Sequence, residues 1–450
     1  MLDSKSLSVL SAALAKLDTG FRRLPEFVAH SATVEQLTEV LNRTADKLQD
    51  NFPYFHPLYA GQMLKPPHPV ARLAYALAMY INPNNHALDG GRATSALEKE
   101  AVAEIAAMFG WKEFLGHLCG GGTMANLEAL WVAGQSHPGR KIIANEQAHY
   151  THKRISGVLQ LEFEAVPCDS RGRMDLDALE DRLKKNNVGT VVATLGTTAT
   201  GSVDPLAEIL ALRERYGFRI HVDAAYGGYF TLASNLAAPA KQSFAKVGQA
   251  DSIVIDPHKH GLQPYGCGCV LFRDPAVGKL YKHESPYTYF SSAELHLGEI
   301  SMECSRPGAA AAALWATQKL LPLVPGGEFA KGLEAGREAA MQFYARLRKD
   351  ERFAPAFSPE LDIVVFLPSE SSREKAASRS RRVFDAAAKR DLHLAVAELP
   401  VRFWSNGALA NFSSTETVTC LRSVLMKPEH LEWIEPIWER LLQAHSNTES

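Results

Sequence analysis

Asp251-Ser252-Ile253-Val254-Ile255-Asp256-Pro257-His258-Lys259-His260-Gly261 is the stretch on which the fold turns. Ser252 to Asp256 read as a buried β-strand, because a β-branched run is bounded there by chain breakers. A proline follows, then a lysine set between two histidines. In an open α/β sheet the strand ends face the crevice in which ligands bind, so Lys259 points at a candidate site. An arbitrary lysine is a solvated loop residue. One shielded by a strand end and flanked by imidazoles can have its pKa lowered, and the neutral amine is the form that condenses with an aldehyde.

Working outward, strand-like runs at Lys141 to Ala144, Val188 to Leu195, Phe218 to Val222, Ser252 to Ile255 and Cys269 to Phe272 alternate with helical stretches. That alternation predicts a largely parallel sheet covered by helices. Three of the strand ends carry polar groups: His149 after the first, Thr197 and Thr198 after the second, Asp223 at the end of the third. Singly each is a capping or turn residue; at successive ends of one sheet they make a site. Further upstream, Cys119-Gly120-Gly121-Gly122-Thr123-Met124-Ala125-Asn126 opens into the helical run Leu127 to Ala133. Glycines before a helix let backbone N–H groups converge on an anion at its positive end. The same glycines fit a loose dinucleotide pattern, Gly120-x-Gly122-x-x-Ala125 with Glu146 about 20 residues beyond. Against it, no convincing hydrophobic strand is expected before Gly120, and the absence of Gly-Lys-Ser/Thr disposes of a P-loop. A condensing lysine, a carboxylate for a ring nitrogen and a phosphate cradle are together what pyridoxal phosphate requires.

At 450 residues the chain exceeds one typical core, which predicts a large domain over 51–320 and a small C-terminal domain over 321–450. Residues 1–50 form a helical arm, with Leu7, Leu10, Ala13, Leu14 and Leu17 on one face and a second run from Val34 to Leu48. Such an arm has too little apolar surface to stand alone, and a partner subunit is its natural support. Residues 51–69 read as an irregular aromatic loop that seals a core edge or lines a pocket. Thr94 or Ser95 is expected to cap a helix running to Phe109 and stopped by Gly110. Tyr281 to Gly298 reads as a loop, Ala309 to Lys319 and Glu328 to Lys349 as helices, Ile363 to Leu367 as a strand, and the Ser/Arg-rich piece 369–382 as a solvated helix or loop. A net charge of −2 gives no support to nucleic-acid or anionic-membrane binding. The six cysteines, at 119, 168, 267, 269, 304 and 420, lack disulfide-framework and zinc spacing, which with no evident signal peptide predicts free thiols in the cytoplasm.

With these residues in hand, the chain resembles the group II pyridoxal-phosphate-dependent amino acid decarboxylases, the family of the aromatic-amino-acid, glutamate and tyrosine decarboxylases. The resemblance rests on Gly120 to Asn126, Ala148-His149-Tyr150, Ala193-Thr-Leu-Gly-Thr-Thr198, His221-Val-Asp-Ala-Ala-Tyr226, Asp256-Pro-His-Lys259, Glu303-Cys-Ser-Arg306 and Leu421-Arg-Ser-Val-Leu. These occur in the family's order over about residues 50–440. It implies an α/β fold of type I, with a mixed, mostly parallel large sheet and a small C-terminal α/β domain, and a homodimer with sites at the interface. It implies that Lys259 forms the internal aldimine, that Asp223 pairs with the pyridinium nitrogen and that His149 stacks on the ring. Gly121, Gly122, Thr123 and His258 would hold the phosphate, with Thr198 and Ala225 lining the ring. Arg422 would engage the substrate's α-carboxylate. Loss of CO2 would leave a quinonoid, protonated by His258 or by a loop tyrosine, Tyr289 or Tyr287. Asp256 stands where many relatives have Asn; a carboxylate beside a phosphate is unfavourable unless bonded to donors. The run from Lys259 to Gly266 is closer to the archaeal and bacterial tyrosine/aspartate and glutamate branches.

The resemblance therefore implies release of CO2 from an L-amino acid. For the substrate, Arg92 could meet an acidic side chain, while Tyr54, Phe55 and Tyr59 would suit an aromatic one. The alternative is a carbon–carbon lyase of the sphingosine-phosphate type, whose usual membrane segment has no counterpart in the sequence. A cofactor-free scaffold, a nicotinamide-binding protein and a metal site built from His149, His152, His258 and His260 are weaker, because none uses the lysine, carboxylate and anion cradle together. No metal is expected.

Overall fold

The computed structural model describes residues 4–27, 32–282, 300–404 and 416–448. Seven strands build the main sheet: β1 (Leu115–Cys119), β2 (Lys141–Asn145), β3 (Phe163–Val166), β4 (Val188–Thr194), β5 (Arg219–Asp223), β6 (Ser252–Ile255) and β7 (Gly268–Phe272). Their order is β1-β7-β6-β5-β4-β2-β3. Neighbours from β3 through β6 are parallel, and β7 runs antiparallel to both β6 and β1. Every residue of β4, β6 and β7 is buried. A strand covered on both faces has no polar side to show, which is why these runs read as continuously apolar.

Two local expectations need correction. A strand, β1, does precede Gly120. Its sequence, Leu-Gly-His-Leu-Cys, lacks the β-branched signature; it is an edge strand, and its histidine is buried against Glu128, with Nε2 2.9 Å from Oε2. The helix expected to begin at Thr94 or Ser95 instead spans Leu88–Met108, with a break at Gly91. Thr94 lies inside it and donates its hydroxyl to Asn85 Oδ1 at 2.5 Å, so its polar group ties down the preceding turn rather than capping the helix.

A second, antiparallel sheet of β8 (Phe353–Pro355), β9 (Ile363–Pro368), β10 (Ala395–Pro400) and β11 (Thr417–Val424) has the order β10-β11-β9-β8. Helices Glu328–Lys349, Arg373–Ala388 and Ile434–Ser446 share its core, where Phe343, Phe366 and Leu421 pack together. The Ser/Arg-rich piece folds into the helix Arg373–Ala388, of which Ala376, Ser380, Val383 and Ala387 are buried. Leu58 and Ala60 join this second core, and Ala60 is fixed at both ends: its N–H donates to the His393 carbonyl at 2.9 Å and its carbonyl accepts from Val424 N–H at 2.7 Å. The aromatics of this loop seal an edge, Phe52, Tyr54 and Tyr59 clustering with one another and with His393. At the N-terminus, helix Val34–Leu48 carries a capping box at Thr33, yet none of its residues is buried. Among the described residues no helix is long and apolar enough to cross a membrane. All six cysteines are free, and only Cys304 is exposed.

Candidate active site

The ends of β2, β4, β5 and β6 meet the glycine turn around a cavity of about 490 Å³. Parallel strands put their carboxyl ends on one edge, so residues far apart in sequence face one space. Gly121, Gly122, Thr123, His149, Thr198, Asp223, Ala225, Asp256, His258 and Lys259 all line it.

The glycine turn leads straight into helix Gly122–Ser136, whose first residues line the cavity and bring the helix's positive end to it. Gly121 has φ +144°, open to glycine but rarely to other residues. A Cβ on Gly122 would come within 2.6 Å of Asp256 Oδ2, so only bare backbone fits there. The turn is clamped by residues that come much later in the chain. Gly120 N–H donates to Glu303 Oε2 at 2.8 Å, and Arg306 Nη1 donates to Glu98 Oε1 and to the Leu118 carbonyl, both at 2.6 Å.

Asp223, at the end of β5, is 5% exposed. Its Oδ2 lies 2.7 Å from His152 Nε2 and its Oδ1 accepts from Ala225 N–H at 3.1 Å. Burial alone would raise this carboxyl's pKa, but the hydrogen bond and charge of His152, helped by Lys259, hold it well below the ordinary carboxylate range. It is therefore an anion at neutral pH. Lys259 Nζ lies 3.1 Å from Asp256 Oδ2, with His258 Nε2 at 3.5 Å from the same oxygen. The amine is thus the charged neighbour of Asp256 Oδ2, while Oδ1 is left without a partner. Burial pushes the pKa values of His149 and His258 below the usual imidazole range, keeping both rings neutral. His149 Nδ1 is 2.8 Å from Thr151 Oγ1, which fixes the ring's orientation.

Buried Asp256 Oδ1 and His258 Nδ1 have no protein partner. With the bare-backbone turn and the amine, they fit a ligand carrying an aldehyde, a ring nitrogen and a phosphate. Residues 139–368, just over half of the chain and including His149, Asp223 and Lys259, match the model of the pyridoxal-dependent decarboxylase conserved domain. The chain belongs to that family.

This decarboxylase is 28% identical to the L-tyrosine decarboxylase of Enterococcus faecium over 428 residues, covering 73% of this chain and 69% of the relative. It is 33% identical to a probable L-tyrosine/L-aspartate decarboxylase of Methanospirillum hungatei over 277 residues, 61% of this chain and 71% of the relative. Among solved structures, mouse CSAD superposes with a TM-score of 0.79 at 20% identity, covering 93% of this chain and 90% of the other. Oryza sativa TDC, solved with PLP and tryptamine, gives 0.79 at 16% identity and covers 100% and 99%. At these identities the superpositions speak for the fold alone, that of the type I pyridoxal-phosphate enzymes. The decarboxylase's cofactor is pyridoxal phosphate.

Other residues singled out in the sequence lie elsewhere. Arg422, on β11, is 4% exposed and is not among the cavity's lining residues. Its guanidinium donates to the carbonyls of Ala199, Gly61 and Thr198 and to Gln62 Oε1, which places it behind Thr198. Tyr59 is buried in the aromatic cluster, and Arg92 is exposed on helix Leu88–Met108, so the structure brings neither to the cavity. Tyr287 and Tyr289 lie outside the described residues. Thr197 is buried among Thr200 and Ser202, and Glu146 pairs with Arg402. Of the four histidines weighed as metal ligands, His152 contacts Asp223 and His260 lies 3.2 Å from Asp362. Sequence reasoning missed His152 as the partner of Asp223 and Glu303 as the clamp of the glycine turn. His152 does lie only three residues after His149, beside the same strand end.

Proposed function

We propose that this decarboxylase releases CO2 from an L-amino acid to give the corresponding amine, with Lys259 as the residue that joins the cofactor's aldehyde. The observation that carries this reading is the convergence of Lys259, Asp223 and the glycine turn on one cavity. When bound, pyridoxal phosphate supplies an electron sink for the bond broken at the substrate's α-carbon. The protein's part is to bind and orient. The N–H groups of Gly121, Gly122 and Thr123, with His258, hold the phosphate. Asp223, kept ionised by His152, holds a proton on the ring nitrogen. His149, fixed by Thr151, would pack against the cofactor ring, with Thr198 and Ala225 as the other walls. Asp256 receives the proton-bearing end of Lys259 and keeps the amine at the mouth of the turn. His258 or Tyr289 would return a proton to the α-carbon, and Arg422 would act on the substrate's carboxylate only indirectly, by fixing the backbone at Thr198 that lines the cavity.

Of the two substrate classes, the aromatic, tyrosine-like one is favoured over the aspartate- or glutamate-like one. Among the described residues no arginine lines the cavity, while the carboxylates of Asp223, Asp256 and Glu303 do, which disfavours a second acidic group. Relatives named as L-tyrosine decarboxylases agree with this reading, while others are named for tyrosine and aspartate together or for aspartate. The carbon–carbon lyase alternative is less favoured, since these relatives are named as decarboxylases.

We further read the protein as a cytoplasmic homodimer with sites at its interface. Leu37, Val40, Leu41 and Leu48 are exposed on a helix that buries nothing, the face a second copy would cover. A monomeric mass at micromolar concentration would exclude that assembly.

The deciding experiment is a visible absorption spectrum of wild type and Lys259→Ala with added cofactor, followed by CO2 detection over a panel of L-amino acids. The expected result is a band lost or shifted in Lys259→Ala, and CO2 from tyrosine well above aspartate. A band without CO2 from any amino acid would favour the lyase, and no band at all would remove Lys259 from its role.

A further inference from the structure

The segment Pro257 to His260 stands between two cavities: Lys259 lines the one at the strand ends, and His260 lines a second of about 360 Å³. Lys65, His68 and Arg72 come to this second cavity from the entrance to helix Pro69–Met79. Glu328 comes from the start of helix Glu328–Lys349, and Lys427 and Glu429 from the turn after β11. Its amines are held unlike surface lysines. Lys427 is 3% exposed, and its Nζ donates to the Tyr59 carbonyl at 2.6 Å. Lys65 Nζ donates to the Met426 carbonyl at 3.4 Å. An ammonium has three N–H donors, so each amine has donors left over. Buried Arg72 Nε has no hydrogen-bond partner. Among the described residues no carboxylate comes within 4.0 Å of Lys65, Arg72 or Lys427, although Glu328 and Glu429 line the same cavity.

A buried cation is ordinarily paired or holds a ligand, because leaving it bare carries the full desolvation penalty. Here three basic side chains converge, none in contact with a carboxylate, on a space of ligand size with Phe329 and Leu333 as apolar wall. We propose that this second cavity binds a small oxyanion, a carboxylate or phosphate group, through Lys65, Arg72 and Lys427. The electrostatics agree with the geometry. Burial pushes the Lys65 amine down to about 8 against the pull of Asp362 and Glu429, and burial with the charge of Lys65 pushes Lys427 down to about 7 against Glu429. The group is short of negative charge, and an oxyanion supplies it.

The test is calorimetric titration of the pyridoxal-phosphate-loaded protein, whose glycine turn is already filled, with inorganic phosphate and separately with acetate, each against chloride at equal ionic strength. Saturable binding is expected, weakened about tenfold or more in both Lys65→Met and Arg72→Met, the scale of losing one hydrogen bond to a charged group. Binding of phosphate alone assigns a phosphate-bearing ligand, and of acetate alone a carboxylate. The cofactor's absorption should be unchanged in both variants. Arg72 is only half-buried, so Arg72→Met reads out the site even if Lys65→Met does not fold. No saturable binding of either anion, or binding unaltered in Arg72→Met, overturns the proposal.

Discussion

In the cavity at the strand ends Lys259 lies 3.1 Å from Asp256 and Asp223 lies 2.7 Å from His152, whereas in the cavity behind them Lys65, Arg72 and Lys427 have no carboxylate within 4.0 Å. One protein segment walls both. The difference is between charge balanced within the protein and charge left for something else to balance. The first arrangement presets geometry before any ligand arrives, which is what a site that must orient reacting groups needs. The second stores unfavourable electrostatics that a bound anion relieves, and it should betray itself in stability.

The comparison breaks most sharply at Asp223. Asp223→Asn keeps the shape but removes the anion, and CO2 release should fall by about 10²–10³-fold, the scale of losing one preorganised electrostatic partner. Weaker cofactor retention should accompany it, read by equilibrium dialysis. The next effect is at Lys427. Its folded-state pKa of about 7 lies below the ordinary 10.5, so between those values the unfolded chain holds a proton that the folded one does not. Stability from this group therefore rises as pH climbs from 7 to 10.5, by several kcal/mol at about 1.4 kcal/mol per unit. Urea unfolding of Lys427→Met should show that slope removed; an unchanged slope would mean the amine is neutralised by a protein group.

His152→Phe tests the paired side. It leaves a buried carboxylate without its hydrogen bond, at a cost of about 3 kcal/mol, and lets the Asp223 pKa rise. The acid limb of cofactor retention should consequently move to higher pH, a change that loss of packing alone would not produce. Smallest is Arg92→Ala: the residue is exposed and away from the cavity, so CO2 release from aspartate and tyrosine should both stay within about twofold, the range of a surface substitution.

What the sequence made legible follows from where the information sits. Lys259, Asp223 and the glycine turn announce themselves because each abuts a strand or helix end whose own residues form a local pattern. Strands β2 and β4 to β7 were readable too, because each is a short, nearly continuous apolar run. β1 and β3 were not, since Gly116 and His117 interrupt one and Glu164 the other. His152 against Asp223 spans 71 residues and Glu303 against Gly120 spans 183; pairings of that length exist only once the sheet has brought them together. Arg422 was readable as a residue of interest, but its four acceptors, three of them backbone carbonyls, could not be read from side-chain identity.

The clamp on the glycine turn also sets a timetable. A chain made from its N-terminus folds in the order it emerges, and the turn at Gly120 is complete long before Glu303 and Arg306 exist to hold it. Until those residues arrive, Gly120 N–H and the Leu118 carbonyl lack the partners that fix the turn's position. Capture of the cofactor should thus come late in synthesis, and a chain released early, with its parallel strands in place but ending before Glu303, should hold pyridoxal phosphate poorly.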